Sequence, residues 1–540
     1  MTAARTDTRP RARERLMALL AGGLQALCFA PGPLPDWSLP FAQIATLAVL
    51  AALTFQTDSP RRAAGLGWLF GLSQFGIGVY WLTISMHTYG GMPLPLAIAA
   101  LLLFAAAMGL YPALACAGAA WVCAGHGHPE RRALRQILNA VVWASAWTLA
   151  EWLRGTLFTG FTWLNAGYAH AEGMFAAWAP LTGVYGLAWL AAFAAAAVAL
   201  MVRARNTAYD RSAAVVVGLA LLTGILGLAW AHVEWSQPQG KPLMVRLVQP
   251  ATAQSEKFQP EQFQPTQDRL QRLAALPPKN EADRPAVVIL PETVLPVFQD
   301  QVPAAVWQQW QRVADTLRAP LVLGAPLHRS GFGDERYTNG ALVLRNTRIA
   351  AGPPTPWHYD KRHLVPFGEF IPPGFRWFVR ALDIPLGDFD RGPARQPPLV
   401  IGDQRLAVDI CYEDTFGEEI AATVAPDGTT PGPSILVNLS NLAWFGNSWA
   451  LRQHLWIARM RALETARPVV RATNTGATAA IDAQGQVLGL LAPGQPGVLD
   501  AEVQGMQGLT PYVRWGNGPV LVWVLLGLLL GVRARRYPAV

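Results

Sequence analysis

The sequence predicts a helical membrane bundle joined to a water-soluble α/β domain, and three observations carry that prediction. Of the 540 residues 52% are hydrophobic and 14% charged, which is too apolar for most soluble proteins and too long for one ordinary core. Apolar stretches run near 16–34, 37–56, 63–84, 94–123, 134–153, 176–202, 213–232 and 517–533, each close to the ~20 residues that cross ~30 Å of hydrocarbon as helix. Between the seventh and eighth lies a polar block in which short apolar runs alternate with helical stretches. The expected division is seven spans in 1–235, a water-soluble α/β domain in 236–510 and a C-terminal span in 511–540.

Orientation follows from the arginines, because positively charged short loops stay in the cytoplasm. Arg5, Arg9, Arg11, Arg13 and Arg15 precede the first span, Arg61 and Arg62 follow the second, Arg131, Arg132 and Arg135 the fourth, and Arg203, Arg205 and Arg211 the sixth. The connections at 35–36, 85–93 and 154–175 hold Arg154 as their sole arginine, and Arg533, Arg535 and Arg536 end the chain. The alternation places the soluble block outside the cytoplasm. The first apolar run lacks a small-residue cleavage site before Pro31-Gly32-Pro33, so it is expected to be a retained span. The net charge of +8 rests largely on loop arginines; with no nucleic-acid motif beside it, no nucleic-acid partner is expected.

Within the block, Leu243–Val248, Ala286–Leu290, Leu321–Leu323, Ala341–Leu344, Leu406–Ile410, Ile435–Leu439 and Val469–Ala472 are short, solidly apolar runs, the pattern of strands buried on both faces. Helical stretches at Pro260–Ala275, Pro303–Arg318 and Trp449–Arg467 separate several of them, which predicts a layered α/β domain.

Cys28, Cys116 and Cys123 fall in the spans, leaving Cys411 alone in the soluble block. No disulfide staples that block, so Cys411 is either an inert buried thiol or one kept free for use. Glu292 follows one strand, Cys411 ends another and Lys361 lies in a loop. Strand ends are where α/β folds gather their sites. A base, a cation and a thiol are the parts for acyl transfer through a thioester. No phosphate loop, Cys-x-x-Cys pair or metal-type histidine cluster is present in the sequence, so no cofactor and no metal are expected.

At these residues the block from about 243 to 505 resembles the nitrilase or carbon–nitrogen hydrolase superfamily, whose Glu, Lys and Cys occur in that chain order. The whole chain resembles the bacterial apolipoprotein N-acyltransferase family. The runs that carry the resemblance are Tyr359–Glu369 (YDKRHLVPFGE), Ile410–Glu413 (ICYE), Asn438–Gly446 (NLSNLAWFG), Gln453–Arg467 (QHLWIARMRALETAR), Arg471–Gly476 (RATNTG) and Glu151–Gly160 (EWLRGTLFTG) with Trp163-Leu164.

The resemblance implies an α-β-β-α sandwich on eight transmembrane helices, with Cys411 as nucleophile, Glu292 as general base and Lys361 as oxyanion stabiliser. A nearby ammonium is expected to lower the thiol pKa. It further implies that Glu369 holds Lys361, that Tyr412 and Glu413 shape the pocket, and that Phe258, Asn339 and Trp444 contact or support substrate. Leu290, Phe258 and Leu442 depart from the family's usual Trp, Trp and Asp, which bears on substrate preference more than on reacting groups.

The implied reaction takes a fatty acyl group from a membrane phospholipid onto Cys411. It then passes that group to the α-amine of a diacylglyceryl-cysteine on an apolipoprotein. The expected setting is a monomer in the bacterial inner membrane with its catalytic domain periplasmic. One rival is a membrane-anchored amidase or nitrilase-type hydrolase; another is a non-catalytic transporter or receptor with an external binding domain. Phe370, Ile371, Phe375, Trp377, Phe378, Leu382 and Ile384 are expected to form a lid that admits lipid, the alternative being ordinary loop packing. Glu151 and Arg154 are expected at the outer edge of the fifth span, contacting headgroups or the soluble domain or pairing with each other. Trp163, Tyr168 and Trp178 are expected as interface-belt aromatics, the alternative being substrate contacts.

Overall fold

The computed structural model describes residues 11–536 apart from 30–33, 58, 124–131, 205–210, 332–333, 346–356, 373, 375–387 and 429–430. The chain divides into two compact units: Met1–Thr83, Leu94–Val233 and Trp515–Val540 form one, Ile84–Pro93 and Glu234–Arg514 the other.

The first unit is helical. Its longer helices are Ala12–Leu27, Leu39–Phe55, Pro60–Gly78, Leu94–Met108, Leu110–Cys123, Arg132–Thr156, Ala179–Ala204, Arg211–Trp230 and Gly518–Arg536. Proline is the first or second residue of five of them, and Ser59 caps the Pro60 helix by accepting from the Arg62 amide, as the unpaired amides of a first turn require. Among the described residues, five helical segments are long and apolar enough to cross a membrane: Asp36–Phe55, Leu94–Cys123, Ala176–Ala204, Ser212–Trp230 and Gly518–Arg536. Pro60–Gly78 with Leu82–Tyr89 is a sixth candidate, bent by 58°. Ala12–Leu27 has 16 residues, short of a bilayer crossing, and Arg132–Thr156 carries polar residues along its length.

Small residues let these helices touch. A Cβ on Gly22 would meet the Phe70 carbonyl oxygen at 2.1 Å, and one on Gly67 the Pro112 oxygen at 2.4 Å; such close backbone approach is how apolar helices pack without a hydrophobic driving force. Glu151 and Arg154 are buried here and lie 3.7 Å apart. Glu151 accepts from the Ala166 amide at 3.0 Å, and Arg154 donates to the carbonyls of Phe161 and Trp163. Mutual pairing plus backbone capping is therefore what this structure shows for them. Trp163 and Tyr168 are 3% and 2% exposed. They pack inside the unit, which corrects their expected place in an interface belt: the loop they occupy folds back onto its own helices.

The second unit holds the strands, in chain order β1 Gln237–Pro238, β2 Leu243–Gln249, β3 Val287–Ile289, β4 Leu321–Gly331, β5 Asp334–Leu344, β6 His358–Asp360, β7 Leu399–Ile401, β8 Gln404–Ile410, β9 Ile435–Ser440, β10 Val469–Thr473, β11 Ala479–Ile481, β12 Val487–Leu490, β13 Gly497–Val503 and β14 Met506–Gln507. They make two six-stranded sheets, ordered β13-β2-β3-β4-β5-β6 and β7-β8-β9-β10-β11-β12, and a separate β1–β14 pair. Both sheets repeat one pattern of neighbours: antiparallel, parallel, parallel, antiparallel, antiparallel. Parallel neighbours need a crossover; Pro260–Ala274 and Ala304–Leu317 supply it in the first sheet, Gly417–Val424 and Trp449–Thr465 in the second.

Strand alternation builds the layers. Val287 and Ile289 of β3 face a central core shared with Val408, Ile410, Val437 and Leu439 of the other sheet. Val288 and Leu290 face outward onto Leu270, Val306 and Trp310 of the first pair of helices. Ala407, Leu436 and Val469 meet Ile420, Leu455 and Ala458 of the second pair. The order is thus helix, sheet, sheet, helix, and each central strand is buried on both faces, which is why it reads as a solid apolar run.

Candidate active site

Glu292 lies in the turn that leaves β3. Thr293 has a left-handed backbone (φ 52°), and Gly324 on the neighbouring β4 makes room for the turn: a Cβ there would meet the Pro291 oxygen at 2.5 Å and the Glu292 Cα at 2.7 Å. The carboxylate is nearly buried. Its Oε2 accepts from the Asn441 amide at 2.8 Å and its Oε1 from Asn339 Nδ2 at 2.7 Å.

Lys361 follows β6 directly, and its amide donates to the Asn339 carbonyl at 2.8 Å, so it extends the β5–β6 ladder and its direction is set by the sheet. Its side chain is 1% exposed. Nζ lies 2.8 Å from Glu369 Oε1 and 3.4 Å from Glu292 Oε1. Glu369 is itself anchored by the Val365 amide at 2.8 Å and by Asn339 Nδ2 at 2.6 Å. One Asn339 amide group therefore bridges both carboxylates, one N–H to each. Burial opposes the Lys361 charge, but Glu369, Glu292 and Cys411 outweigh it and hold the ammonium above its ordinary range.

Cys411 ends β8 and opens the turn Cys411–Thr415, with a left-handed backbone of φ 56°. A left-handed non-glycine residue costs free energy and needs outside support. Here the support falls on its carbonyl, which accepts from Asn438 Nδ2 at 3.3 Å and His454 Nε2 at 3.2 Å. Arg471 Nη2 donates to His454 Nδ1 at 2.6 Å, so the imidazole proton sits on Nε2. Burial keeps that imidazole neutral. Asp414 Oδ1 is 2.8 Å from the same Nε2.

The thiol interacts electrostatically with Glu292, Lys361 and Glu369, so the structure brings all four groups together. Lys361 does act to lower the thiol pKa, but the balance runs the other way. Burial first, and Glu292 next, push the thiol pKa up, and Lys361 offsets them in part. The ammonium is engaged by two carboxylates and does not leave a standing thiolate. Chemically, a protonated thiol beside a hydrogen-bonded carboxylate is set up for proton transfer during attack, with Lys361 placed to neutralise an oxyanion.

The other expected residues divide. Glu413 accepts from the amides of Ile410 (2.6 Å), Arg362 (2.7 Å) and His363 (3.0 Å) and from the Tyr359 hydroxyl at 3.0 Å. It clamps the cysteine turn to the lysine loop. Tyr412 is buried against His363 and Phe416, ring centroids 5.7 and 5.1 Å away. Phe258 and Trp444 are 52% and 37% exposed with centroids 6.3 Å apart, and Tyr89 lies 6.0 Å from Trp444. Phe375, Trp377, Phe378, Leu382 and Ile384 of the expected lid lie outside the described residues.

Sequence reasoning missed Asn438, Asn441, His454, Arg471 and Lys257. The first four stand inside runs that carried the resemblance, and Lys257 directly precedes Phe258. No cluster of metal-ligating side chains occurs among the described residues.

This two-sheet fold, with its glutamate, lysine and cysteine in one site, defines a carbon–nitrogen hydrolase domain: residues 244–512 match that family's model. Residues 21–197 match the apolipoprotein N-acyltransferase N-terminal domain. The chain is 50% identical over 537 residues to the apolipoprotein N-acyltransferase of Bordetella bronchiseptica, covering 98% of this chain and 97% of that one. It is 44% identical to that of Ralstonia nicotianae (98% and 95%) and 35% identical to that of Pseudomonas aeruginosa (98% and 99%). The chain belongs to the apolipoprotein N-acyltransferase family. It is a membrane-protein enzyme of the acyltransferase class.

Proposed function

We propose that the chain moves a fatty acyl group from a membrane phospholipid, through a thioester on Cys411, to the α-amine of an N-terminal diacylglyceryl-cysteine. The observation that supports this most directly is the buried set Glu292, Lys361, Glu369 and Cys411 in a chain that also matches the family's N-terminal domain.

In the first half, Cys411 Sγ attacks the ester carbonyl as its proton passes to Glu292. The oxyanion is met by Lys361 Nζ and the backbone N–H of Tyr412. The carbon–oxygen bond then breaks and the lysophospholipid leaves with the proton from Glu292. In the second half, the acceptor amine attacks the thioester, Glu292 takes the amine proton, and the carbon–sulfur bond breaks as Glu292 passes that proton to Cys411 Sγ, which restores the thiol and the carboxylate. The reaction balances without a cofactor and is ping-pong. Each CH₂ brought into water costs about 0.8 kcal/mol, so both substrates stay in the bilayer and the catalytic domain is tethered there. Phe258 and Trp444 offer apolar surface to an acyl chain.

The same reading takes the helices as eight spans, with division at 1–235, 236–510 and 511–540, and puts the catalytic domain on the periplasmic side of the inner membrane. The working form is a monomer. Incubation of purified protein with phospholipid and a diacylglyceryl lipopeptide tests the proposal: an N-acylated peptide and equimolar lysophospholipid are expected, whereas free fatty acid with unmodified peptide would make the protein a hydrolase.

A further inference from the structure

Lys257 ends the short helix Gln254–Lys257, in the crossover between β2 and β3. Its side chain is buried, 7% exposed, and Nζ donates to the Glu292 carbonyl at 3.1 Å. That carbonyl belongs to the residue before the left-handed Thr293. Lys257 lines a small cavity together with Pro250, Thr252, Gln267, Pro291, Thr293 and Asn474, none of which titrates. The ionisable groups it faces are Glu292 and Cys411. These are the two groups between which the proposed mechanism moves a proton.

A buried ammonium is expensive unless charge or function requires it. Charge requires it here. The charges that act on the thiol include the acidic groups Glu292, Glu369 and Asp414 and the basic groups Lys361 and Arg471, the last paired with Asp414, so without Lys257 the acidic groups outnumber the basic ones before any oxyanion forms. With Lys257 protonated the site is neutral at rest. It stays neutral when the thiol proton moves to Glu292, because that transfer only relocates the negative charge from oxygen to sulfur. In a low-dielectric site an uncompensated charge of that kind would oppose the attack.

We propose that Lys257 is a positioning residue that fixes the Glu292 turn and, as a second ammonium, keeps the site neutral while Cys411 is acylated. The proposal rests on the acyl-transfer reading above. Burial holds Lys257 down to about 8, against the pull of Glu292 and Cys411, so its charge is lost as pH rises through that value.

The test is the rate of Cys411 acylation by phospholipid in the full-length protein, followed by intact mass across pH values on both sides of about 8, with folding checked by thermal unfolding. The wild type is expected to slow as pH rises through about 8. K257M is expected to acylate at least about tenfold more slowly below that pH, having lost a charged hydrogen bond, and to lose the alkaline decline. K257R is expected to regain most of the rate and to carry it to higher pH, since a guanidinium stays protonated. A K257R protein with the wild-type alkaline decline, or a folded K257M protein with the wild-type rate and profile, would overturn the proposal. If K257M does not fold, K257R alone decides it. Absence of any adduct on the wild type would instead refute the acyl-transfer reading.

Discussion

Lys361 is held more closely by Glu369 than by Glu292: its Nζ is 2.8 Å from the first and 3.4 Å from the second. Two carboxylates compete for one ammonium, and the nearer one binds it. Glu292 is left with the Asn441 amide and Asn339 as its closer partners, an arrangement suited to a group that must accept a proton. Removing the two carboxylates therefore has different consequences. E292Q is expected to abolish acylation with the fold intact. E369Q is expected to slow it by about 10²-fold, the scale of a misplaced oxyanion donor. Single-turnover acylation by intact mass separates the two; equal effects would mean that the division of labour is wrong.

The thiol makes a second prediction. Burial and Glu292 raise its pKa, while Lys361 lowers it. A raised thiol pKa means less thiolate at any given pH, so alkylation of Cys411 by a small neutral haloacetamide should be slow at neutral pH and still climbing beyond about 8.5, the ordinary thiol value. E292Q removes a raising charge and should speed alkylation at fixed pH. K361M removes the lowering charge and should slow it. Labelling counted against C411A measures this, and a rate plateau below about 8.5 would contradict the electrostatic account.

Glu413 is a structural clamp with measurable weight. Its carboxylate serves three backbone amides and the Tyr359 hydroxyl, and each buried donor left unpaired costs about 1–3 kcal/mol. E413A is expected to lower the unfolding midpoint by several degrees and to loosen the lysine loop and the cysteine turn together. Thermal unfolding in detergent with limited proteolysis at the 361–369 loop would show it; an unchanged midpoint would remove the clamp.

The carbonyl of Cys411 gives a fourth. Since His454 and Asn438 hold it, H454L is expected to reduce the acylation rate about tenfold, the loss of one hydrogen bond, while H454Q, which keeps a donor, retains more of it. Identical rates for the two variants would assign His454 to packing alone.

Much of this arrangement was legible in the chain because buried strands and spanning helices are both written as apolar runs. Leu406–Ile410 and Ile435–Leu439 appear within two residues of β8 and β9. The ends of the sheets were not legible. Polar residues such as His328, Arg329, Glu335 and Arg336 sit in the long β4–β5 hairpin, and β12 and β13 are largely exposed or half-buried, so neither presents the two-face burial that marks a central strand. Glu292, Lys361 and Cys411, the residues proposed to react, were singled out through their motifs. The groups that hold them were missed because His454, Arg471 and Asn438 act through contacts made only after β8, β9, β10 and the helix Trp449–Thr465 pack together. Lys257 stands directly before Phe258, a position the resemblance marked, yet a lysine in a short polar stretch reads as solvated until the fold buries it.

The proposed reaction requires that Cys411 carry the acyl group, and intact mass of purified protein mixed with phospholipid of a single acyl type reads this out without an intermediary. One fatty acyl adduct is expected on the wild type, absent from C411A and discharged when a diacylglyceryl lipopeptide is added. An adduct that persists in C411A would contradict it.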